Sequence, residues 1–578
     1  SETSTACPKN DSAGKPLGEE LWAFVPYQLL PQLQWLTQAD YSHVYYVDLK
    51  PRVFDMRVFC DGGNGPTTCQ AGQSSVSHPN GWGTILIGGF RMGGSCGTCT
   101  AGTGAPPMRV VADFNGDGDT VDPNDDRYFY SAYFALDITD PEQPPKLLWS
   151  FTDTGLGLTT SFPSVLRVLS STLTDKADKR AQWFMVVGSG PNGYGAEVTG
   201  QTAKMYAIDI AKGPGPDNGV FLNNSDVVTF PAGSWNSFIG DPVALDRNLD
   251  YRVDSVYTGR VIHDGTLPWK GKLYRLTMGS CAATPCDLTD ATEGWGIAGG
   301  GGTRIPTEIL ATFPTVGSVE LGPVATAPSI TVDDAGKVWI FAGTGRYYSS
   351  ADKTDTSTQY FVGVKDRVIN LECTQTTSTN CPSNDLVNVS SATICVIGVG
   401  TCGSSTNQVT GVTGVTDFTS LIGLVAGKHG WYTTLLPVSG PGVGERVINS
   451  PVLLGGIVFF PSFTPTADIC SASGTSNLYA LFYKTGSAYS EPIIGTTGQN
   501  VNRSVSNGQG ISSSMAVHIG ASGSANASGG DTSAFKVCGQ SSSGAVSCTD
   551  VNIPGGGPSG GGGGGLDPRS RIIAWLRT

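Results

Sequence analysis

Phe184-Met185-Val186-Val187-Gly188-Ser189-Gly190, followed after a short gap by Lys204-Met205-Tyr206-Ala207-Ile208-Asp209, is the stretch whose reading decides the fold. The first run is nearly all apolar and closes on glycine, which suits a strand buried on both faces; the second has the β-branched and aromatic character of its neighbour. The pair recurs. The apolar phrase returns as Thr84-Ile85-Leu86-Ile87-Gly88-Gly89, Val338-Trp339-Ile340-Phe341-Ala342-Gly343-Thr344-Gly345 and Gly456-Ile457-Val458-Phe459-Phe460. The tyrosine phrase returns as His43-Val44-Tyr45-Tyr46-Val47-Asp48, Ala132-Tyr133-Phe134-Ala135-Leu136-Asp137, Lys272-Leu273-Tyr274-Arg275-Leu276, Gln359-Tyr360-Phe361-Val362-Gly363-Val364 and Asn477-Leu478-Tyr479-Ala480-Leu481-Phe482. A two-strand unit repeated at irregular intervals, with loops inserted between copies, predicts an all-β β-propeller, quinoprotein-like, of roughly seven to eight blades.

Composition agrees. The chain has 79 glycines in 578 residues, about twice ordinary usage, and only 14% charged residues, which favours many turns and short strands. Its net charge of −13 speaks against nucleic acid or anionic lipid as partner and for cations. No apolar run is long enough to span a bilayer, and Ser1-Glu2-Thr3-Ser4 lacks the basic and apolar pattern of an export signal, so the chain reads as mature or truncated and not as a transmembrane protein.

The whole of 1–578 reads as one propeller domain with additions. Residues 60–128 are expected as inserted loops with an acidic site, 366–415 as a Cys-rich insertion, 555–565 as a Gly-rich linker and 566–578 as a strand that closes the ring. Twelve of the 14 cysteines fall into close sequential pairs, Cys60/Cys69, Cys96/Cys99, Cys281/Cys286, Cys373/Cys381, Cys395/Cys402 and Cys538/Cys548. Such spacing in Gly/Ser/Thr-rich loops reads as local disulfide staples made in an oxidising, extracellular compartment, although sequence leaves the connectivity open. Cys7 and Cys470 are left over and would tie the N-terminal segment to a late repeat if they paired.

Two acidic stretches carry the candidate chemistry. In Asp246-Arg247-Asn248-Leu249-Asp250-Tyr251-Arg252-Val253-Asp254, oxygen-bearing side chains of Asp246, Asn248, Asp250 and Asp254 stand at positions 1, 3, 5 and 9, with the Arg252 carbonyl at 7. In Asp113-Phe114-Asn115-Gly116-Asp117-Gly118-Asp119 the oxygens of Asp113, Asn115, Asp117 and Asp119 stand at 1, 3, 5 and 7 with glycine at 6, and Asp122 or Asp125 is placed to complete the shell. Many irregular hard oxygens in a short loop suit Ca²⁺ better than Mg²⁺, with extracellular affinities on the order of 10⁻⁴ to 10⁻³ M.

Gly18-Glu19-Glu20-Leu21-Trp22-Ala23-Phe24-Val25-Pro26, Tyr133 to Pro141 with Leu148-Trp149-Ser150-Phe151, Val187 to Gly190, Asp246 to Gly259, and Phe341 to Tyr348 followed by Asp352 and Val364-Lys365-Asp366 occur in this order. In them the chain resembles the C-terminal propeller domain of the PilY family of type IV pilus biogenesis and tip-adhesin proteins. The resemblance implies a non-enzymatic protein at a pilus tip or bacterial cell surface (outer membrane). Its partners would be minor pilins and a host or abiotic surface, and it would support assembly, the balance of extension and retraction, and adhesion. It also implies one Ca²⁺ held by Asp246, Asn248, Asp250 and Asp254. Tyr251 stands where a helix-flanked calcium loop has glycine, and Tyr257 where it has a bidentate glutamate, so this site must close differently. The family's von Willebrand A-type domain is not in this chain, which reads as a C-terminal portion, and there is no Arg-Gly-Asp tripeptide.

Catalytic readings are weaker. The Leu-Trp-x-Phe and Tyr-Ala-Leu-Asp phrases are also similar to those of Ca²⁺/pyrroloquinoline-quinone-dependent quinoprotein dehydrogenases, but no two cysteines here are adjacent as in the disulfide that stacks on that cofactor. Cys96-Gly97-Thr98-Cys99 is followed by Thr100 where haem attachment needs histidine, the five histidines are scattered, and no serine sits in a Gly-x-Ser-x-Gly elbow. A secreted glycan-binding propeller is the remaining alternative.

Overall fold

The computed structural model describes residues 19–59, 78–99, 108–114, 116–121, 125–168, 182–215, 224–265, 268–279, 294–299, 303–310, 312–313, 319–370, 385–399, 402, 407–435, 444–466, 474–519 and 535–553. Within them the chain lays down one antiparallel sheet after another. The first is Arg52–Arg57, Trp82–Gly89, Tyr133–Asp137 and Lys146–Phe151; the second is Ser164–Val168, Gln182–Gly188, Thr202–Asp209 and Val228–Trp235. In the third, Ser237–Ile239 and Val243–Leu245 both pair with Ser255–Ile262, followed by Lys270–Thr277 and Thr307–Leu310. The fourth runs Ser329–Val332, Val338–Gly343, Gln359–Lys365 and Gly430–Leu435, and the fifth runs Val452–Leu454, Ile457–Thr464, Thr475–Phe482 and Ser504–Gln509. Ala516–Ile519, Phe535–Gln540 and Val546–Val551 make a sixth sheet of three strands. Six sheets of three or more strands therefore stand among the described residues, against an expectation of seven to eight.

The sequence itself marks the start of an outer strand in each of the first five sheets. Pro51, Pro163, Pro242, Pro328 and Pro451 each immediately precede a strand that pairs with an interior strand of its sheet: Arg52–Arg57, Ser164–Val168, Val243–Leu245, Ser329–Val332 and Val452–Leu454. A proline has no N–H to give a ladder and is tolerated where a strand starts or lies at an edge.

Sheets meet through their faces. Ile85, Ile87 and Trp149 of the first share a core with Trp183, Met185 and Tyr206 of the second. Phe184 and Val186 join Val256 and Leu276 of the third; Tyr257 and Leu273 join Ile340 and Val362 of the fourth; Phe341 and Trp431 join Phe459 and Leu481 of the fifth. Each large apolar side chain buried this way contributes about 1.5–3 kcal/mol. The glycine that ends the apolar phrase is what lets neighbouring sheets close up. A Cβ on Gly188 would stand 2.4 Å from Ile239, one on Gly259 2.3 Å from Val324, and one on Gly343 2.3 Å from Val447.

Strand direction sorts the connections to two ends of the sheets. Links between sheets and second-to-third-strand loops lie at one end, where Asp241 N donates to Ala325 O (3.0 Å) and the Asp241 carboxylate Oδ1 accepts from Phe162 N (2.9 Å). First-to-second and third-to-fourth-strand loops lie at the other. Asp246 to Asp254 is thus at the end opposite the Asp113 to Asp125 loop, which interrupts the second-to-third connection of the first sheet.

Three expectations change. His43–Asp48 is no strand: only Asp48 N and Leu49 N reach the sheet end, at Phe90 O (3.2 Å) and Gly89 O (3.3 Å), and Gly18–Pro26 forms no strand in its described part. Residues 60–128 are not one insertion, because Trp82–Gly89 in their midst is an interior strand of the first sheet. The segment expected as the insertion 366–415 extends to the α-helix Phe418–Ala426 and adds Leu386–Asn388 as a parallel fifth strand beside Gly430–Leu435. Disulfides join Cys96–Cys99, Cys395–Cys402 and Cys538–Cys548, as the spacing predicts. The other eight cysteines, the Gly-rich linker 555–565 and the expected closing strand 566–578 lie outside the described residues.

Candidate metal loops

The 246–254 loop joins Val243–Leu245 to Ser255–Ile262, and Asp254 N closes it on Leu245 O (2.8 Å). Its side chains fold onto their own backbone. Asp246 Oδ1 accepts Asp250 N (3.2 Å) and Oδ2 accepts Tyr251 N (2.8 Å); Asn248 Oδ1 accepts Asp250 N (3.0 Å); Asp250 Oδ1 accepts Arg252 N (2.9 Å). Asp254 Oδ2 accepts Arg247 N (2.6 Å), which ties position 9 back to position 2. Leu249 (φ 61°) and Tyr251 (φ 68°) take the left-handed conformation that asparagine or glycine would adopt more readily, a local cost of about 1 kcal/mol each that the loop bonds offset.

Burial and neighbouring charge act together on the carboxylates of this loop. Burial raises the Asp246 carboxyl above the ordinary aspartate range, and the Asp250 charge adds to it against the loop N–H bonds. Burial likewise raises Asp254, with the Asp246 and Asp250 charges adding and the Arg247 N–H opposing. Asp246 and Asp254, both raised in a partly desolvated loop with the Asp250 charge beside them, form an acidic set whose charge a divalent ion would neutralise. The donor set of Asp246, Asn248, Asp250, Asp254 and the Arg252 carbonyl is all hard oxygen, so it fits Ca²⁺.

The second loop is presented by the hairpin Met108–Val111 and Asp126–Phe129, clamped by Arg109 on Asp126 through two bonds of 2.6 and 2.8 Å. Asp113 accepts N–H bonds from Gly116 (2.6 Å), Asp117 (3.1 Å) and Gly118 (3.0 Å), so its carboxylate organises the turn. Gly116 (φ 76°) and Gly118 (φ 97°) supply the positive φ that this wrapping needs. Asp117, Asp119 and the buried Asp125 bring one carboxylate oxygen each within 4.8 Å of one another, a convergence found among the described residues in this loop and not in the other. Asp125, one of the two residues expected to complete the shell, is thus brought beside Asp117 and Asp119. Asn115 and Asp122 lie outside the described residues.

Sequence reasoning missed the role of Arg247. Its guanidinium leaves the 246–254 loop to donate to Ile369 O (3.1 Å) and Gly336 O (2.6 Å), partners far away in sequence that no local pattern announces. The histidines are engaged separately: His78 with Asp137 (2.8 Å), His263 against Trp269 (4.3 Å between rings), and His429 with Lys365 O (3.0 Å).

No family model matches the chain. Two curated proteins of Xylella fastidiosa, both named type IV pilus biogenesis factor PilY1 homolog, are similar to it. One is 23% identical over 482 residues, 82% of this chain and 25% of the relative; the other is 24% identical over 511 residues, 86% of this chain and 30% of the relative. The chain spans between a quarter and a third of the length of these relatives. Among solved structures, the C-terminal domain of Pseudomonas aeruginosa PilY1 matches with a TM-score of 0.50 at 19% identity, over 94% of this chain and 90% of that one. The resemblance carried by the strand phrases is thus a resemblance to PilY-type proteins in sequence, and to a PilY1 C-terminal domain in fold. Among the described residues no helix is long and apolar enough to cross a membrane.

Proposed function

We propose that this chain is the propeller portion of a non-enzymatic type IV pilus protein, working at the pilus tip or cell surface with minor pilins and contacting host or abiotic surfaces. The observation that carries the reading is the similarity to pilus biogenesis factors over more than four-fifths of the chain, together with a likeness in fold to a PilY1 C-terminal domain. The six sheets are read as consecutive blades of a closed β-propeller. A ring of this kind distributes load over many inter-sheet contacts, which suits a protein at the end of a fibre that is pulled.

Ca²⁺ is proposed as the resident ion of both acidic loops. Asp246, Asn248, Asp250, Asp254 and the Arg252 carbonyl would hold it in one; Asp117, Asp119 and Asp125, with Asp113 shaping the turn, would hold it in the other. The ion would neutralise clustered carboxylates and fix loops at opposite ends of the sheets. Affinity capture from sheared pili tests the pilus reading: recovery of minor pilins with the intact chain is expected, and repeated capture of none, with the chain folded and calcium present, overturns it.

A further inference from the structure

We infer that Arg247 is a positioning residue that couples the 246–254 loop to the root of the fourth sheet's insertion, so that Ca²⁺ in the loop seats the insertion on the sheet ends. This rests on the calcium reading above. Arg247 stands between the first and second proposed ligands, Asp246 and Asn248, and its own N–H is bonded to a third, Asp254 (2.6 Å). Its planar fork then grips two separate segments, the turn between the first two strands of the fourth sheet at Gly336 O (2.6 Å) and the start of the insertion at Ile369 O (3.1 Å). A rigid guanidinium satisfies two carbonyls only while their spacing and its own backbone stay fixed.

The insertion root is built to register such a pull. Ile369 is held from both sides, its carbonyl by Arg247 and its N–H by Asp366 Oδ1 (3.3 Å). Asp366 is buried, ion-paired with Arg275 and bonded by the Tyr257 hydroxyl (2.9 Å), and Tyr257 lies on the strand that Asp254 feeds. Asn370 donates its N–H to Asp366 O (2.9 Å), while its side chain accepts from Val338 N (2.8 Å) and donates to Val338 O (3.2 Å). Without a cation, Asp246, Asp250 and Asp254 repel across the loop. Because two of the proposed ligands flank Arg247, spreading of the loop displaces its backbone and strains both carbonyl contacts at once.

Amide hydrogen exchange on the intact chain, in millimolar CaCl₂ against EGTA, tests this. Calcium should slow exchange at 246–254 and also at 366–370, the latter by roughly tenfold, the factor for one charge-assisted hydrogen bond gained or lost. In Arg247→Ala the calcium effect at 246–254 should persist while that at 366–370 disappears, a split that a general loss of stability would not produce. Arg247→Lys, which keeps the charge but cannot hold both carbonyls, should fall between and serves if the alanine variant folds poorly. Calcium protection at 366–370 that survives in both variants overturns the coupling alone. Absence of any calcium effect at 246–254 in the parent overturns the calcium reading and the coupling with it.

Discussion

Asp250→Asn separates a calcium loop from a merely acidic one. The substitution keeps the shape and an acceptor for Arg252 N (2.9 Å) but removes one charge from the triad in which Asp246 and Asp254 are raised by burial first, with the Asp250 charge adding to it. With an extracellular-type Kd of about 10⁻³ M, 10 mM Ca²⁺ stabilises the folded chain by about 1.4 kcal/mol per site. Unfolding entropy of about 2.1 cal/mol/K per residue over 578 residues turns that into a melting shift of about 1 °C, too small to decide anything. Isothermal calcium titration is therefore the assay. The parent should bind two ions, Asp250→Asn and Asp119→Asn one each, and the double variant none. In EGTA, Asp250→Asn should melt no lower than the parent, because a repulsion has gone and no ion was there to lose. A parent that takes up no calcium, or an Asp250→Asn variant with unchanged stoichiometry, refutes the electrostatic argument.

Other outcomes follow from the packing and the buried groups. Gly343→Ala places a Cβ about where Val447 already stands, at 2.3 Å, and should cost about 1–3 kcal/mol in urea unfolding; an unchanged midpoint would show that the fourth and fifth sheets do not close there. Replacing both Cys538 and Cys548 by serine opens a staple with a sequence separation of 10 and should cost roughly 2–3 kcal/mol, read as a denaturation midpoint below that of the oxidised parent. His429, buried and pushed down to about 4 by burial first and the Arg367 charge next, contributes stability that is full above pH 6.5 and is lost as pH falls towards 4, about 3 kcal/mol in all; His429→Gln should flatten that acid limb. Asp241, pushed up to about 7 by burial against the Phe162 N–H and the Arg52 and Arg91 charges, acts with the opposite sign. Its contribution is full below pH 3.8 and lost as pH rises through 7, so the stability difference between Asp241→Asn and the parent should move in the variant's favour between pH 4 and 7.

Local chemistry was enough for the strands and the staples. Phe184 to Gly190 and Lys204 to Asp209 announce their strands because side-chain burial alternates or runs continuously within a few residues, and Cys538 and Cys548 lie opposite each other because a short hairpin leaves them no other register. The aspartates of both loops could be named for the same reason, since a short loop must wrap its own oxygens. Reading them as one kind of site was beyond that information: Asp125 joins Asp117 and Asp119 through the return strand of a hairpin. His43–Asp48 has the same letters as true strands but meets only a sheet end, where no free ladder awaits it.

The order of the sheets, and the all-β class itself, were settled by the chain's own periodicity, because hydrogen-bonding strands and the prolines that start them are determined over a few residues. Which loops share an end of the sheets, which glycine faces Val447 and which carbonyls Arg247 grips were settled only when sheets distant in sequence came together. Such contacts depend on the summed geometry of every intervening strand, and no window of residues contains it.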